Sequence, residues 1–140
     1  MTTILYVCVH NAGRSQMAEA MTNHLAREHA LSVSALSAGT VAGERINPIA
    51  EEVMREIGVP MDGQAPKQLT QQMAGSADRI ITMGCRVDAD ACPARFMLTE
   101  DWGLDDPAGQ SIEKVRSIRD QIRARVEALL NEISQEDKHE

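Results

Sequence analysis

An apolar strand signal runs directly into a helix signal near the N-terminus, and this junction constrains the fold more than any other feature of the chain. Residues 4–8 form an apolar run of strand length, and a helix-forming segment opens near Ser15. The short polar loop between them contains Gly13. In such a loop the backbone N–H groups can converge on one point, aided by the positive end of the following helix. The junction therefore predicts an oxyanion site at the end of a strand.

Cys8 and Arg14 are the candidate reactive residues of this loop. Arg14 would add a planar, permanently charged fork that suits a tetrahedral oxyanion. The same positive field stabilises a thiolate over a thiol, so we expect Cys8 to be a nucleophile at neutral pH, with Ser15 donating to it. Taken alone, the six-residue spacing of Cys8 and Arg14 is weak support. Composition alone would place an Arg six positions after about one Cys in twenty. The alternative, a small buried hydrophobe at position 8, is disfavoured by the strand–loop–helix context.

Strand and helix signals alternate along the rest of the chain, which shows no internal repeat or linker. Further strands are expected at residues 31–36, 79–83 and 96–99, and helices at 15–30, 48–57, 70–75 and from Ser111 onward. This alternation predicts an α/β fold: a single-domain, three-layer sandwich with a four-stranded, mainly parallel sheet and helices on both faces. We expect one domain over residues 1–134 and a polar tail at 135–140. Ligands of such folds bind at the carboxyl ends of the strands, where Cys8 and Cys85 would both lie.

The charge balance limits which partners the chain can bind. Its 140 residues include 14 Lys plus Arg and 21 Asp plus Glu, for a net charge of −7. An acidic chain without a basic stripe is a poor candidate for binding nucleic acid or an anionic membrane surface, so an anion must be captured by a local positive site. No signal peptide or membrane span is visible, and we expect a cytoplasmic protein. Three cysteines there favour catalytic or redox-sensing thiols over a permanent disulfide framework.

A second candidate lies in the Asp105-Asp106-Pro107 segment. Displacement at an oxyanion centre needs an acid that protonates the departing oxygen, and a loop carboxylate can supply the proton. Pro107 stiffens the backbone and restricts the residue before it. By itself the segment would be interpreted as an acidic turn. Beside a nucleophile loop, Asp106 is the favoured general acid, ahead of Asp105.

Cys85 and Cys92 are the third feature. Zinc binding is a poor interpretation, since there is no CxxC motif and no pair of histidines nearby; two unrelated buried thiols are the other alternative. Seven residues of helix would separate their Cα atoms by about 10.5 Å. A disulfide tolerates only about 4.4–6.8 Å. If the segment is helical when reduced, forming a Cys85–Cys92 bond must unwind it.

Together these residues resemble the arsenate reductases built on the low-molecular-weight protein tyrosine phosphatase fold, particularly the thioredoxin-coupled branch with three cysteines. The resemblance covers most of the chain. It rests on residues 8–19, residues 37–39, the pair Cys85 and Cys92, and residues 102–109. The two cysteines seven positions apart select a reductase over a phosphatase.

The resemblance implies how the reaction runs. The Cys8 thiolate would attack arsenate, for which phosphate and sulfate are mimics, while Asp106 protonates the leaving hydroxyl. Cys85 would then attack the sulfur of Cys8 and release arsenite, and Cys92 would attack Cys85 and offer a disulfide to reduced thioredoxin. No bound cofactor and no metal are implied. The implied substrate-binding residues are Asn11, Ala12, Gly13, Arg14 and Ser15.

Some members of this branch carry a potassium site, which this chain matches only in part. Asn11, Glu19 and Ser37 correspond to three of its ligands, whereas a later loop offers Ala65 and Lys67 in place of a Thr and an Asp. A fixed ammonium at Lys67 could replace the ion. We therefore expect an activity that does not depend on potassium.

Two other functions remain open from the residues. A low-molecular-weight protein tyrosine phosphatase would use Cys8 and Asp106 in the same way, but Ala108 and Gly109 stand where those phosphatases usually carry two tyrosines. The chain is also only 2% aromatic, which leaves little to grip a phosphotyrosine ring. A thiol-based sensor of oxidants or arsenite is the second alternative, and it would need no general acid. Mycothiol or glutathione-linked glutaredoxin systems are the alternatives to thioredoxin as reductant.

Overall fold

The computed structural model describes residues 1–83 and 100–137. The predicted strand at 96–99 and both Cys85 and Cys92 lie outside these residues. The elements in chain order are β1 (Thr2–Cys8), α1 (Arg14–Glu28), β2 (Val33–Gly39), α2 (Pro48–Glu56), α3 (Gln71–Ser76), β3 (Arg79–Thr82), β4 (Glu100–Asp101) and α4 (Ile112–Asp137).

The strands form one parallel sheet with the order β2-β1-β3-β4. β1 pairs with β2 from Thr2 opposite Val33 to Cys8 opposite Gly39, and it pairs with β3 on its other side. β3 pairs in parallel with β4. The predicted α/β fold with a four-stranded parallel sheet is confirmed. Because all strands run the same way, their carboxyl ends meet at one edge, and Cys8 lies there.

Both faces of the sheet are covered by helices, which explains the unbroken apolar run of β1. Ile4 and Tyr6 face a large core built with α1, α2 and α4. Leu5 and Val7 point to the opposite face, into a smaller cluster that includes Ala74 of α3. Successive residues of a strand point to opposite faces, so a central strand buried on both sides must be apolar throughout.

Helix caps confirm two of the starts that the sequence predicted. Asn47 Oδ1 accepts from the backbone N–H groups of Ile49 and Ala50 at 2.9 and 3.4 Å, directly before Pro48. Thr70 caps α3 by accepting from the backbone N–H at position 73 at 3.1 Å. These side chains satisfy donors that have no partner inside the helix.

Several boundaries differ from the predicted ones, among them the end of α1, both ends of β2 and the end of α4. β2 begins at Val33 rather than at residue 31, because Leu31 belongs to the turn that ends α1. There the Leu31 N–H bonds to the Ala26 carbonyl at 2.8 Å, and Ala30 takes a left-handed φ of 54°. β2 also continues through Gly39, past the predicted end at 36. α4 runs to residue 137, so its last turn includes the start of the segment predicted as a tail.

Trp102, the one tryptophan of the chain, is buried against the sheet. Its ring centroid lies 5.4 Å from that of Tyr6. The ring thus anchors the segment that leads from β4 into the loop with Asp105 and Asp106. No helix in the described part of the chain has the length and apolar character needed to cross a membrane.

Candidate active site

The thiol of Cys8 ends β1 at the base of residues 8–15, which we call the anion loop. Cys8 is 3% exposed. The backbone N–H of Asn11 donates to its sulfur at 3.2 Å, and the Ser15 hydroxyl lies 2.9 Å from it. Hydrogen bonds to sulfur favour the thiolate, which is the nucleophilic form. The predicted contact between Ser15 and Cys8 is therefore present.

Buried amide groups fix the shape of the anion loop. Asn11 has a left-handed φ of 53°, and its side-chain Oδ1 accepts from Gln16 Nε2 and from the Lys67 N–H, both at 2.9 Å. Asn11 Nδ2 in turn donates to Ser15 Oγ at 2.7 Å. Because Ser15 is the acceptor in that bond, its hydroxyl hydrogen is available to Cys8.

Residues 63–67 hold the other half of this network. Gln16 Nε2 donates to the Ala65 carbonyl at 2.9 Å, and Gln64 Nε2 donates to Gln16 Oε1 at 2.7 Å. Gln16 is fully buried, so its amide has to be satisfied inside the protein. Across residues 1–83 and 100–137, every buried side-chain nitrogen and oxygen has a hydrogen-bond partner. The anion loop and residues 63–67 thus form one connected unit.

An ammonium–carboxylate contact lies beside this unit. Lys67 Nζ is 3.4 Å from Glu19 Oε1, and the Ser37 hydroxyl donates to the same oxygen at 2.8 Å. The Glu19 side chain is only 10% exposed, so a nearby opposite charge offsets part of the cost of burying it. The structure therefore places the Lys67 ammonium where the sequence suggested; independence from potassium stays a prediction. No group of three His, Cys, Asp or Glu residues within the described ranges could hold a metal ion.

Arg14 is held in place by two carbonyl groups. Its Nη1 donates to the Met83 carbonyl at 3.0 Å and to the Leu104 carbonyl at 2.8 Å. Its Nη2 lies 3.8 Å from Asp106 Oδ2, and the side chain is 8% exposed. The guanidinium is therefore fixed between the end of β3, residues 104–109 (the Asp loop) and the anion loop, with one nitrogen directed at the candidate acid. A fixed guanidinium needs no reordering when an oxyanion binds.

The two neighbouring aspartates differ in their surroundings. Asp105 Oδ2 accepts from Lys114 Nζ at 2.7 Å. This bond and the charge of Lys114 lower the pKa of Asp105 below its ordinary value, so it stays ionised. Within the described part of the chain Asp106 has no ion pair with a lysine; its Oδ1 accepts the Ala108 N–H at 3.0 Å and its side chain is 58% exposed. The geometry thus favours Asp106 over Asp105 as a proton donor.

The Asp loop packs directly on the anion loop at Gly13. A Cβ atom added there would lie 2.6 Å from Pro107 Cγ. A side chain at position 13 would therefore displace Pro107 and, with it, Asp106. Gly39 is equally confined, because a Cβ there would lie 2.5 Å from the carbonyl oxygen of Val9. Glycine lets both neighbouring segments approach the anion loop closely.

A cleft of about 800 Å³ opens above the sulfur. Three segments line it: the anion loop, residues 45–48 and residues 104–109. His10 lies on its rim, exposed, with Nδ1 3.0 Å from the Val41 carbonyl. Clefts of this size hold ligands as large as a drug-sized molecule, so the space exceeds what one oxyanion needs.

A comparison with known families gives the site its context. The family model described as low molecular weight phosphotyrosine protein phosphatase matches residues 3–139. The chain belongs to this family. The match spans the anion loop, the Asp loop and the whole sheet, so it covers every part of the site described above.

Three similar proteins show which members of this phosphatase family the chain is like. One, from Synechocystis, is named glutaredoxin arsenate reductase and is 35% identical over 96% of this chain and all of its own length. A solved structure described as an arsenate reductase in the phosphate binding state is 34% identical, with a TM-score of 0.83, over 95% of this chain and 99% of its own. The thioredoxin-dependent arsenate reductase of Corynebacterium glutamicum is 35% identical, with a TM-score of 0.79, over 97% of this chain and 63% of its own.

The structure of this family member brings most of the predicted site residues together. Those that line the cleft or contact Cys8 are Cys8, Asn11, Ala12, Gly13, Arg14, Ser15 and Asp106. Cys85 and Cys92 lie outside the described residues, so their predicted roles stay predictions. Sequence reasoning missed Arg45 on the cleft wall and Gln64 in the amide network. No pattern in the sequence identified them, because both depend on which loops meet in the fold.

Proposed function

We propose that this phosphatase-family protein reduces arsenate to arsenite, using Cys8 as the nucleophile. The observation that carries the proposal is the convergence of the Asn11 N–H and the Ser15 hydroxyl on the Cys8 sulfur, beside the fixed Arg14. That arrangement suits attack on a tetrahedral oxyanion. Two similar proteins named as arsenate reductases, and a third described as one, support arsenate as the oxyanion.

In the first proposed step the Cys8 thiolate attacks arsenic. An S–As bond forms and an As–O bond breaks, and Asp106 gives its proton to the departing oxygen, which leaves as water. Arg14 and the backbone N–H groups of the anion loop stabilise the charge on the remaining oxygens. The 3.8 Å between Arg14 Nη2 and Asp106 Oδ2 supports this pairing of roles.

In the second proposed step arsenic is reduced. The Cys85 thiolate attacks the Cys8 sulfur, an S–S bond forms, and the electron pair of the S–As bond stays with arsenic, which leaves as arsenite. Cys92 then attacks Cys85, frees Cys8 and carries the disulfide to the reductant. Cys85 lies two positions after Met83 in the sequence, and the Met83 carbonyl accepts a hydrogen bond from Arg14. This closeness in sequence to the site supports the relay.

Reduced thioredoxin is the proposed electron donor. The Corynebacterium glutamicum relative is described as thioredoxin-dependent, which supports this donor, whereas the name of the Synechocystis relative points to glutaredoxin. A cycle that passes through free thiols needs a reducing compartment, so we propose that the protein acts in the cytoplasm.

The test is arsenate turnover with thioredoxin, thioredoxin reductase and NADPH, run in parallel with glutaredoxin and glutathione. We expect the unmodified protein to turn over repeatedly with thioredoxin. Cys8→Ser, Cys85→Ser and Cys92→Ser should each abolish multiple turnover. If Cys85→Ser keeps full multiple turnover, the relay is wrong.

Phosphatase activity is the second candidate function, favoured by the family match. Such an enzyme would use Cys8, Arg14 and Asp106 alike and would hydrolyse a thiol-linked phosphate with water. Among the described residues that line the cleft, however, there is no Phe, Tyr or Trp to hold an aromatic ester. Phosphate-ester hydrolysis that survives Cys85→Ser, together with no arsenate turnover in the unmodified protein, would favour the phosphatase.

A further inference from the structure

A second arginine, Arg45, lines the same cleft as Cys8 and Arg14. Its side chain is exposed, and within residues 1–83 and 100–137 it has no ion pair or hydrogen bond. Among the described residues, none of the contacts that hold the anion loop or the Asp loop in shape involves Arg45. Its charge is therefore free to act on whatever enters the cleft.

The segment that carries Arg45 is attached to the anion loop on both sides. The Gly43 N–H donates to the His10 carbonyl at 2.8 Å, and the Asn47 N–H donates to the Ala12 carbonyl at 2.8 Å. Arg45 lies between these two tethers, and the next residue, Ile46, is buried. The backbone at position 45 is thus held beside the anion loop, although its side chain reaches into solvent.

Among the described residues that line the cleft, Arg45 is the arginine that has no carboxylate partner. Asp105 is paired with Lys114 at 2.7 Å, and Asp106 lies 3.8 Å from Arg14. Each described aspartate on the cleft wall therefore has a cation within 4 Å. Across the whole chain the net charge is −7, which repels an approaching anion. A free cation at the entrance reverses that field locally.

We propose that Arg45 is a second anion-recognition residue, which captures the incoming inorganic oxyanion at the cleft entrance and delivers it to Arg14 and the anion loop. Its effect falls on association, since the chemistry takes place deeper, at the Cys8 sulfur. Fields of this kind act over about 10 Å at 0.1 M salt, and they weaken as the ionic strength rises.

The inference rests on the proposed function only for the identity of the substrate, so its test uses inorganic phosphate and needs no turnover. Phosphate binding is measured by calorimetry in a buffer free of sulfate and phosphate, at low ionic strength and again at about 0.5 M sodium chloride. Arg45→Gln removes the charge, and Arg45→Lys keeps it. Arg125→Gln is the matched control, because it makes the same charge change on an exposed arginine that does not line the cleft. Arg125 lies about 20 Å along α4 from Ile112, where the helix begins.

We expect Arg45→Gln to raise the phosphate dissociation constant about three- to tenfold at low ionic strength, and less than about twofold in high salt. Arg45→Lys and Arg125→Gln should stay within about twofold of the unmodified protein. In arsenate turnover, Arg45→Gln should raise KM by the same factor with kcat unchanged. Unchanged phosphate affinity in Arg45→Gln at low ionic strength would overturn the inference, as would an equal loss in Arg125→Gln or a fall in kcat at constant KM. Failure of arsenate turnover in the unmodified protein would overturn the proposed function and leave the phosphate result to decide on Arg45.

Discussion

The contact between Gly13 and Pro107 gives the sharpest prediction about how the two loops of the site work together. Gly13→Ala places a methyl group 2.6 Å from Pro107 Cγ and 3.4 Å from its Cδ. The φ of Gly13 is −136°, outside the left-handed region that favours glycine, and the close contact of an added methyl group is with the Pro107 ring. To reach the 3.4 Å at which such contacts become ordinary, the ring must retreat by about 0.8 Å.

Retreat of the Pro107 ring moves Asp106, because the two residues are adjacent. A misplacement of about 1 Å at a catalytic group can cost about 100-fold in rate, so we expect kcat for arsenate reduction to fall about 10- to 100-fold. Overpacking of this kind also destabilises a protein by about 1–3 kcal/mol. The loss of rate should exceed what the loss of folded protein explains.

The assay combines steady-state arsenate turnover with urea unfolding of the same samples. Pro107→Ala removes the ring atoms that clash, and the nearest remaining atom, Cβ, lies 3.9 Å from the added methyl group. The double variant Gly13→Ala/Pro107→Ala should therefore be more active than Gly13→Ala alone, a coupling that a double-mutant cycle measures. Gly43→Ala is the control, since its added Cβ comes no closer than 3.5 Å to any neighbour. Turnover by Gly13→Ala within twofold of the unmodified protein, or a double variant no better than Gly13→Ala, would refute the reasoning.

Three further predictions follow from charged groups. Exchange of sodium for potassium at equal ionic strength should leave turnover of the unmodified protein unchanged, whereas Lys67→Met should become stimulated by potassium; a clear rise in the unmodified protein would contradict this. In steady-state assays, Asp106→Asn should lower kcat by about 100-fold or more, and Asp105→Asn by only a few-fold. Equal losses in the two variants would contradict the assignment of Asp106 as the acid. Two arginines of α4 lower the pKa of Glu56 below its ordinary value of 4.5, so its charge stabilises the fold above that pH and the stabilisation is lost as the pH falls through the lowered pKa. Urea unfolding should thus show Glu56→Gln to be less stable than the unmodified protein near neutral pH and equal to it in acid. No difference near neutral pH would contradict a stabilising role of the Glu56 charge.

The fold was largely predictable because its signals are local. Residues 4–8 are apolar without interruption because helices cover both faces of β1. The cap at Asn47 and the proline after it are chemical requirements of a helix start, and they act within three residues. The end of α1 was misplaced because Ala30 takes a left-handed turn that usually calls for glycine.

The site was most predictable where its parts are contiguous in sequence. Cys8 and Arg14 lie on one loop, and that loop joins β1 to α1 as predicted. The contact of Gly13 with Pro107, by contrast, joins segments far apart in the chain, and only the packed fold sets their distance. The same holds for Lys114, whose ion pair with Asp105 gives Asp105 and Asp106 different environments. A residue whose role depends on which segments meet in the fold leaves no local pattern in the sequence.

The buried amides of Asn11, Gln16 and Gln64 have a thermodynamic consequence. They fix the shape of the anion loop as the chain folds, so the loss of loop entropy occurs during folding and would not recur when an oxyanion binds. Affinity and fold stability therefore share the same bonds. A change that loosens Gln64, which is not among the residues that line the cleft, should weaken both properties together. The two properties of this protein cannot be changed independently through that network.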